Sequence, residues 1–166
     1  MHRRFPFPNP RRFPLKGRRA VLVEQIRQAF TLFDSGDYSQ AGAIFEELAH
    51  IAEGHNGPRY PRFYMQAGYC YLYANQPEKG QGLIEKGRQA LIQAGRGEAA
   101  ERICRRFTLE TGQGVTSGGL QAPSPTSRQA LPLKCPSCGA AVHPDEVTWL
   151  DESSAECDYC GSVLRG

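Results

Sequence analysis

Four of the six cysteines in this 166-residue chain stand in two pairs near the C-terminus, CPSCG at Cys135–Gly139 and CDYCG at Cys157–Gly161. Two residues between cysteines let both thiolates of a tight turn face one ion. The glycine after each second cysteine permits the positive φ that closes such a knuckle. With 18 residues between the pairs, the spacing C-x2-C-x18-C-x2-C falls within the range of zinc sites. Cys135, Cys138, Cys157 and Cys160 are therefore the predicted metal ligands. Four thiolates saturate a tetrahedral ion and leave no position for a reacting water, so the expected site is structural and not catalytic. His143 lies close by in sequence, but two complete pairs leave it no role as a ligand.

The elements around the cysteines must be small. Val147–Leu150 alternates as a strand does and contains Trp149, Asp151–Ser154 reads as a turn, and Ala155–Glu156 and Ser162–Leu164 supply two further short strands. With its knuckles CPSCGA and CDYCGS, the segment 133–166 resembles the bacterial zinc ribbon family. The resemblance implies one structural Zn2+. Iron is the rival, because rubredoxin knuckles are similar, but rubredoxins space their pairs further apart and carry more aromatics. A unit this small cannot fold on its own core. Metal binding, worth about 10–16 kcal/mol in comparable peptides, would supply the folding free energy, and the ribbon is expected to be unfolded without it.

Residues 18–110 read as helix almost throughout. Val23, Ile26, Phe30 and Phe33 recur at three- and four-residue spacing, as do Ala41, Ile44, Phe45 and Leu48. DSGDYSQ and GHNGPRYP break the pattern, Asn75 can end a third helix, Pro77 suits the first turn of a fourth, and GEAAERICRRFTLE is a fifth. Ala29, Gly36, Asp37, Tyr38, Ala41 and Phe45 are echoed 39 residues later by Gly68, Asn75, Gln76, Pro77, Gly80 and Ile84. The first set resembles the tetratricopeptide repeat, with a small residue on the first helix, Gly-Asp-Tyr at the turn, then Ala and an aromatic on the second. The second set is a degenerate match, and its 39-residue register exceeds the family's period of 34. The expected fold is mainly α, antiparallel helical hairpins of tetratricopeptide type followed by a small β zinc ribbon. The resemblance implies a partner-binding groove along the first helices, lined by Ile26, Phe30, Phe33, Met65, Tyr69 and Tyr73 and suited to a protein or peptide; the alternative is that a short array buries these same residues as its core. The Lys and Asn clamp of chaperone-binding family members is missing.

Charge divides the chain further. Residues 1–19 sum to +7, 20–110 to −1, 111–134 to +2 and 135–166 to −5. Segment 1–17 interleaves four prolines with Phe5, Phe7, Phe13 and arginines, and reads as a disordered basic tail. Segment 111–132 is rich in Gly, Ser, Thr and Pro and reads as a flexible linker that lets two folded units move independently, on the order of 25 Å apart. A ribbon of net −5 lacks the cations that phosphate contact needs. It is suited instead to a basic protein surface, such as the chain's own tail. Nucleic acid would have to be held by that tail, which is not the favoured reading.

Catalysis finds no support: no phosphate-cradling Gly-rich loop, no G-x-S-x-G and no His-Glu-x-x-His is present. Cys70 and Cys104 lie in helical patterns without a histidine at helical spacing and read as buried, inert thiols. No apolar run approaches 18 residues, so no membrane span is expected, and reduced cysteines with a metal point to the cytoplasm. The expected function is a zinc-binding, non-enzymatic protein-interaction adaptor. The alternatives are a nucleic-acid- or ribosome-associated factor using the tail, and a redox sensor built on the zinc thiolates.

Overall fold

The apolar spacing of 18–110 resolves into five helices among the described residues: α1 (Leu15–Asp34), α2 (Tyr38–Gly54), α3 (Tyr60–Tyr73), α4 (Pro77–Gln93) and α5 (Gly97–Thr111). The computed structural model describes residues 15–111 and 130–166. The tail, up to residue 14, and most of the linker lie outside them. Three short strands follow, β1 (Thr148–Trp149), β2 (Ser154–Glu156) and β3 (Val163–Arg165), in one antiparallel sheet of order β1-β2-β3. Its register pairs Trp149 with Ala155 and Ala155 with Leu164. The fold is mainly helical with a small C-terminal sheet, as the sequence implies. No helix among the described residues is long and apolar enough to cross a membrane.

Each helix packs chiefly on its successor, α1 on α2, α2 on α3, α3 on α4 and α4 on α5. The turns that impose this order are alike. Positive φ occurs at Gly36, Asn56, Asn75 and Gly95. The following N–H reaches back five residues each time: Asp37 to Leu32, Gly57 to Ala52, Gln76 to Tyr71 and Arg96 to Leu91, all at 2.8 Å. These are Schellman ends, which satisfy carbonyls that a helix terminus would otherwise leave unpaired. Gly36 and Asn75, and Asn56 and Gly95, are each 39 residues apart, the register seen in the sequence. Asp37 stands at the N-cap of α2, but its side chain makes no capping hydrogen bond.

α3 is the central element. Every residue from Pro61 to Tyr71 is buried, Arg62 and Gln66 included. A helix enclosed on all sides shows no amphipathic stripe. Phe63, Tyr64, Ala67 and Cys70 join a first core with Ile26, Ala29, Phe45 and Leu48. Met65 and Tyr69 join a second with Ile84, Leu91, Ile103, Cys104 and Phe107. α3 and α4 approach backbone to backbone. A Cβ on Gly68 would lie 2.6 Å from the Gly80 carbonyl oxygen, and one on Gly87 2.5 Å from that of Pro61.

Two polar ladders tie α2 to α4 across α3. In one, Tyr71 donates to Glu46 at 2.9 Å and Lys79 pairs with the same carboxylate at 2.9 Å. Seven residues along each helix, Tyr64 donates to Glu53 at 2.5 Å and Lys86 pairs with it at 3.1 Å. Each lysine also lies over its tyrosine ring, at 3.9 and 4.0 Å. Burial opposes ionisation of Glu46, but hydrogen bonds from Lys79 and Tyr71 outweigh it and hold the carboxyl below its ordinary range. Hydrogen bonds from Tyr64 and Lys86 lower Glu53 likewise.

Gly68→Ala should lose about 1–3 kcal/mol in denaturant unfolding through overpacking, although alanine is the better helix former. Gly82, with nothing within 4 Å of a Cβ, supplies the control. There the same change should gain about 0.5–1 kcal/mol. The depressed carboxyls predict a pH effect of defined sign. Their contribution is present above the unfolded pKa of about 4.3 and is lost as pH falls through the folded values. The stability difference between wild type and Glu46→Gln/Glu53→Gln should therefore be largest near neutrality and shrink in melts below about pH 4.

Candidate metal centre

The two knuckles are built alike. The Gly139 N–H donates to the Cys135 carbonyl at 2.9 Å, and Gly161 to that of Cys157 at 2.8 Å. The Cys135 N–H donates to Ala140 at 2.8 Å and Cys157 to Ser162 at 2.9 Å. Both glycines sit at positive φ, 76° and 72°. The sheet holds the second knuckle in place, since β2 runs into Cys157 and β3 leaves from Ser162. Asp151 secures the β1–β2 turn by accepting from the Ser153 and Ser154 N–H groups at 2.8 and 2.7 Å.

Folding brings all four predicted sulfurs together. The Sγ atoms of Cys135, Cys138, Cys157 and Cys160 lie within 4.8 Å of one another, and all four residues are buried. Cys135 and Cys160 approach to 3.7 Å, Cys138 and Cys157 to 3.8 Å. These separations are far beyond a disulfide's and match a tetrahedron, for which metal–sulfur bonds of about 2.3 Å require sulfurs about 3.8 Å apart. The neighbouring Cys138 and Cys157 thiols lower the Cys160 pKa. The Cys138 thiol is pushed up by its bonding to Cys157 and Cys160. Ser162 Oγ, 3.2 Å from Cys160 Sγ, adds a hydroxyl beside that sulfur. The donor set is fit to hold a metal ion. His143 is not among the clustered ligand atoms.

The expected independence of the ribbon is corrected by its contacts. The first core runs without a break from Ile26, Phe45 and Phe63 into Leu131, all four clustered cysteines, Tyr159 and Leu164. Tyr159 is the anchor. Its ring meets Phe30 edge-on at 5.2 Å and Phe63 at 6.3 Å, and its hydroxyl donates to Gln66 Oε1 at 3.1 Å. Burial pushes its hydroxyl pKa up to about 12. Beside it, Asp158 pairs with Arg62 at 2.9 Å, and Glu146 pairs with Arg106 at 2.9 Å and Arg62 at 3.4 Å. Arg62 is 4% exposed. Burial raises the Asp158 carboxyl more than Arg62 lowers it. At the rim Arg59 pairs with Glu156, Lys134 with Asp34 at 2.7 Å, and Arg27 donates to the Ser137 carbonyl at 2.7 Å. Three ribbon acids, Glu146, Glu156 and Asp158, thus pair with arginines of the helical part; the tail expected to meet the ribbon lies outside the described residues up to residue 14.

The six groove residues do not line one open channel. Ile26, Met65 and Tyr69 are buried. α5 covers Met65 and Tyr69, and the ribbon covers Phe30, because a short stack leaves its inner face too apolar to stay wet. Phe33 and Tyr73 instead cluster with Tyr38, at ring distances of 5.1–5.5 Å. Cys70 and Cys104 are buried, and desolvation pushes Cys70 up to about 12 and raises Cys104 against a hydrogen bond from Tyr69 and the charge of Arg88. Sequence reasoning missed Gln66 and Asp158, and it saw Arg62 only as a groove residue and Tyr159 only as a stacking aromatic, not as the two sides of this contact. The available signal is two polar residues inside a helix with no polar face, and an acid and an aromatic between the two cysteines of a knuckle. Comparison with protein-family models, curated proteins and solved structures finds no match to this chain.

Arg62→Ala should cost about 3–5 kcal/mol by stranding buried carboxylates. Asp158→Asn, which removes a charge that burial already disfavours, should cost far less. Denaturant titration of the two variants at neutral pH checks the order.

Proposed function

We propose that this chain is a non-enzymatic protein-interaction adaptor in which a structural zinc ion holds a ribbon against a tetratricopeptide-like helical stack. The observation that carries the reading is the buried four-sulfur cluster, whose 3.7 and 3.8 Å separations fit a tetrahedral ion. Zinc suits an all-thiolate tetrahedral set, and four protein ligands leave it no open coordination position for catalysis. Support for a repeat-like stack comes from sequential helix packing and from helix-ending turns that recur with a 39-residue register. Support for an adaptor comes from the ribbon–helix contact itself, where the helices hold a protein segment by an aromatic anchor and paired charges.

Elemental analysis of the purified chain should give one zinc per chain, and the Cys157→Ser/Cys160→Ser variant none. The variant should keep helical circular dichroism but melt roughly 5–10 °C lower, because the helices lose the ribbon that covers Phe30 and Phe63. Wild-type protein free of metal, or holding iron with visible absorption, would contradict the reading.

A further inference from the structure

The ribbon is held by contacts of the kind that join separate proteins. At the centre are a tyrosine anchor and two arginines paired with carboxylates. Around it is a polar rim, to which Arg19 adds a bond to the Gly161 carbonyl at 2.9 Å. Tyrosine and arginine in a desolvated centre, enclosed by a polar rim, are the features of a recognition interface. A face that only needed covering would be as stable under apolar side chains, since a buried ion pair returns little net stability.

We propose that the face formed by Phe30, Arg62, Phe63, Gln66 and Arg106 is a recognition site for acidic protein segments carrying a tyrosine, and that the ribbon's Asp158–Tyr159 and Glu146 occupy it in cis. The proposal rests on the adaptor reading and names the chemistry of its partner. Arg62 takes a carboxylate at 2.9 Å, and Gln66 Oε1 takes the neighbouring tyrosine hydroxyl at 3.1 Å. The ring is enclosed by Phe30 and Phe63, and Arg106 takes a second carboxylate at 2.9 Å. The hydroxyl must be unmodified, because a carbonyl oxygen accepts from it. A tethered ligand presents itself at an effective concentration on the order of millimolar, so a micromolar partner gains the face only when the ribbon lifts. Asp158 and Tyr159 are the two residues between Cys157 and Cys160. Closure of that knuckle therefore sets the grip of the cis ligand.

The test compares the metal-loaded full chain with its Asp158→Arg variant, which keeps all four cysteines and sets two arginines against each other. The probe is a fluorescein-labelled peptide with a Glu-Ala-Asp-Tyr core, read by anisotropy. The variant should bind at least tenfold more tightly than wild type. Binding should vanish when the peptide's Asp is replaced by Lys or its Tyr by Ser, and when Arg62→Glu is added. A metal-loaded, helical Asp158→Arg chain that binds no better than wild type, or binds the Lys peptide equally, overturns the proposal. If the variant loses metal or helix, wild type carries the test, with millimolar peptide expected to speed zinc transfer to a chromogenic chelator at least threefold. An unchanged rate overturns the proposal. Wild-type protein without metal overturns the reading beneath it, whereas a metal-loaded chain that ignores the peptide overturns only this inference.

Discussion

The second knuckle carries two duties in four residues. Cys157 and Cys160 aim their sulfurs at the cluster, while Asp158 and Tyr159 between them face Arg62, Phe30 and Phe63. A knuckle turn has one geometry, fixed by the hydrogen bond from Gly161 to Cys157. Whatever holds the sulfurs together therefore also holds the anchor in place. The rest of the structure depends on this constraint, because the ribbon has little core of its own and the helical stack has an inner face that water would otherwise wet.

The energetics of the docking divide by type of contact. The aromatic contacts of Tyr159 remove apolar area from water and supply the driving force. The Arg62, Asp158 and Glu146 network adds orientation more than stability, since burial disfavours the Asp158 charge even beside an arginine. On the opposite side of α3 the two ladders play a different role. They are half exposed, so they set the register of α2 against α4 across the tyrosines and contribute little to stability.

What the sequence made legible follows from local rules. The cysteine spacing, the glycine after each pair and the short strands named the site residues, because a knuckle is a property of five consecutive residues. Helix periodicity and turn residues located α1 to α5, and the 39-residue register reappears in the helix ends. The docking of ribbon on helices was not legible. It joins residues such as Gln66 and Tyr159 that lie 93 positions apart, and no periodicity encodes such a pair. The linker composition pointed the wrong way. A Gly- and Pro-rich connection predicts separation only when the two units have no affinity, and here charge and aromatic complementarity supply one. Between an open groove and a buried core the sequence could not decide, since the apolar face of α1 and α3 is covered by α5 and the ribbon, which lie far away in the chain.

The central claim is that one metal centre organises both the ribbon and the face of the helices beneath it. Amide hydrogen exchange on the full chain, metal-loaded and then stripped with chelator, tests it most directly. The account predicts that stripping speeds exchange at least tenfold in the ribbon and also in α1 around Phe30 and in α3 around Arg62–Gln66, with smaller changes in α4 and α5. Loss of protection confined to residues 130–166, with α1 and α3 unchanged, would contradict it and show two modules that do not depend on each other.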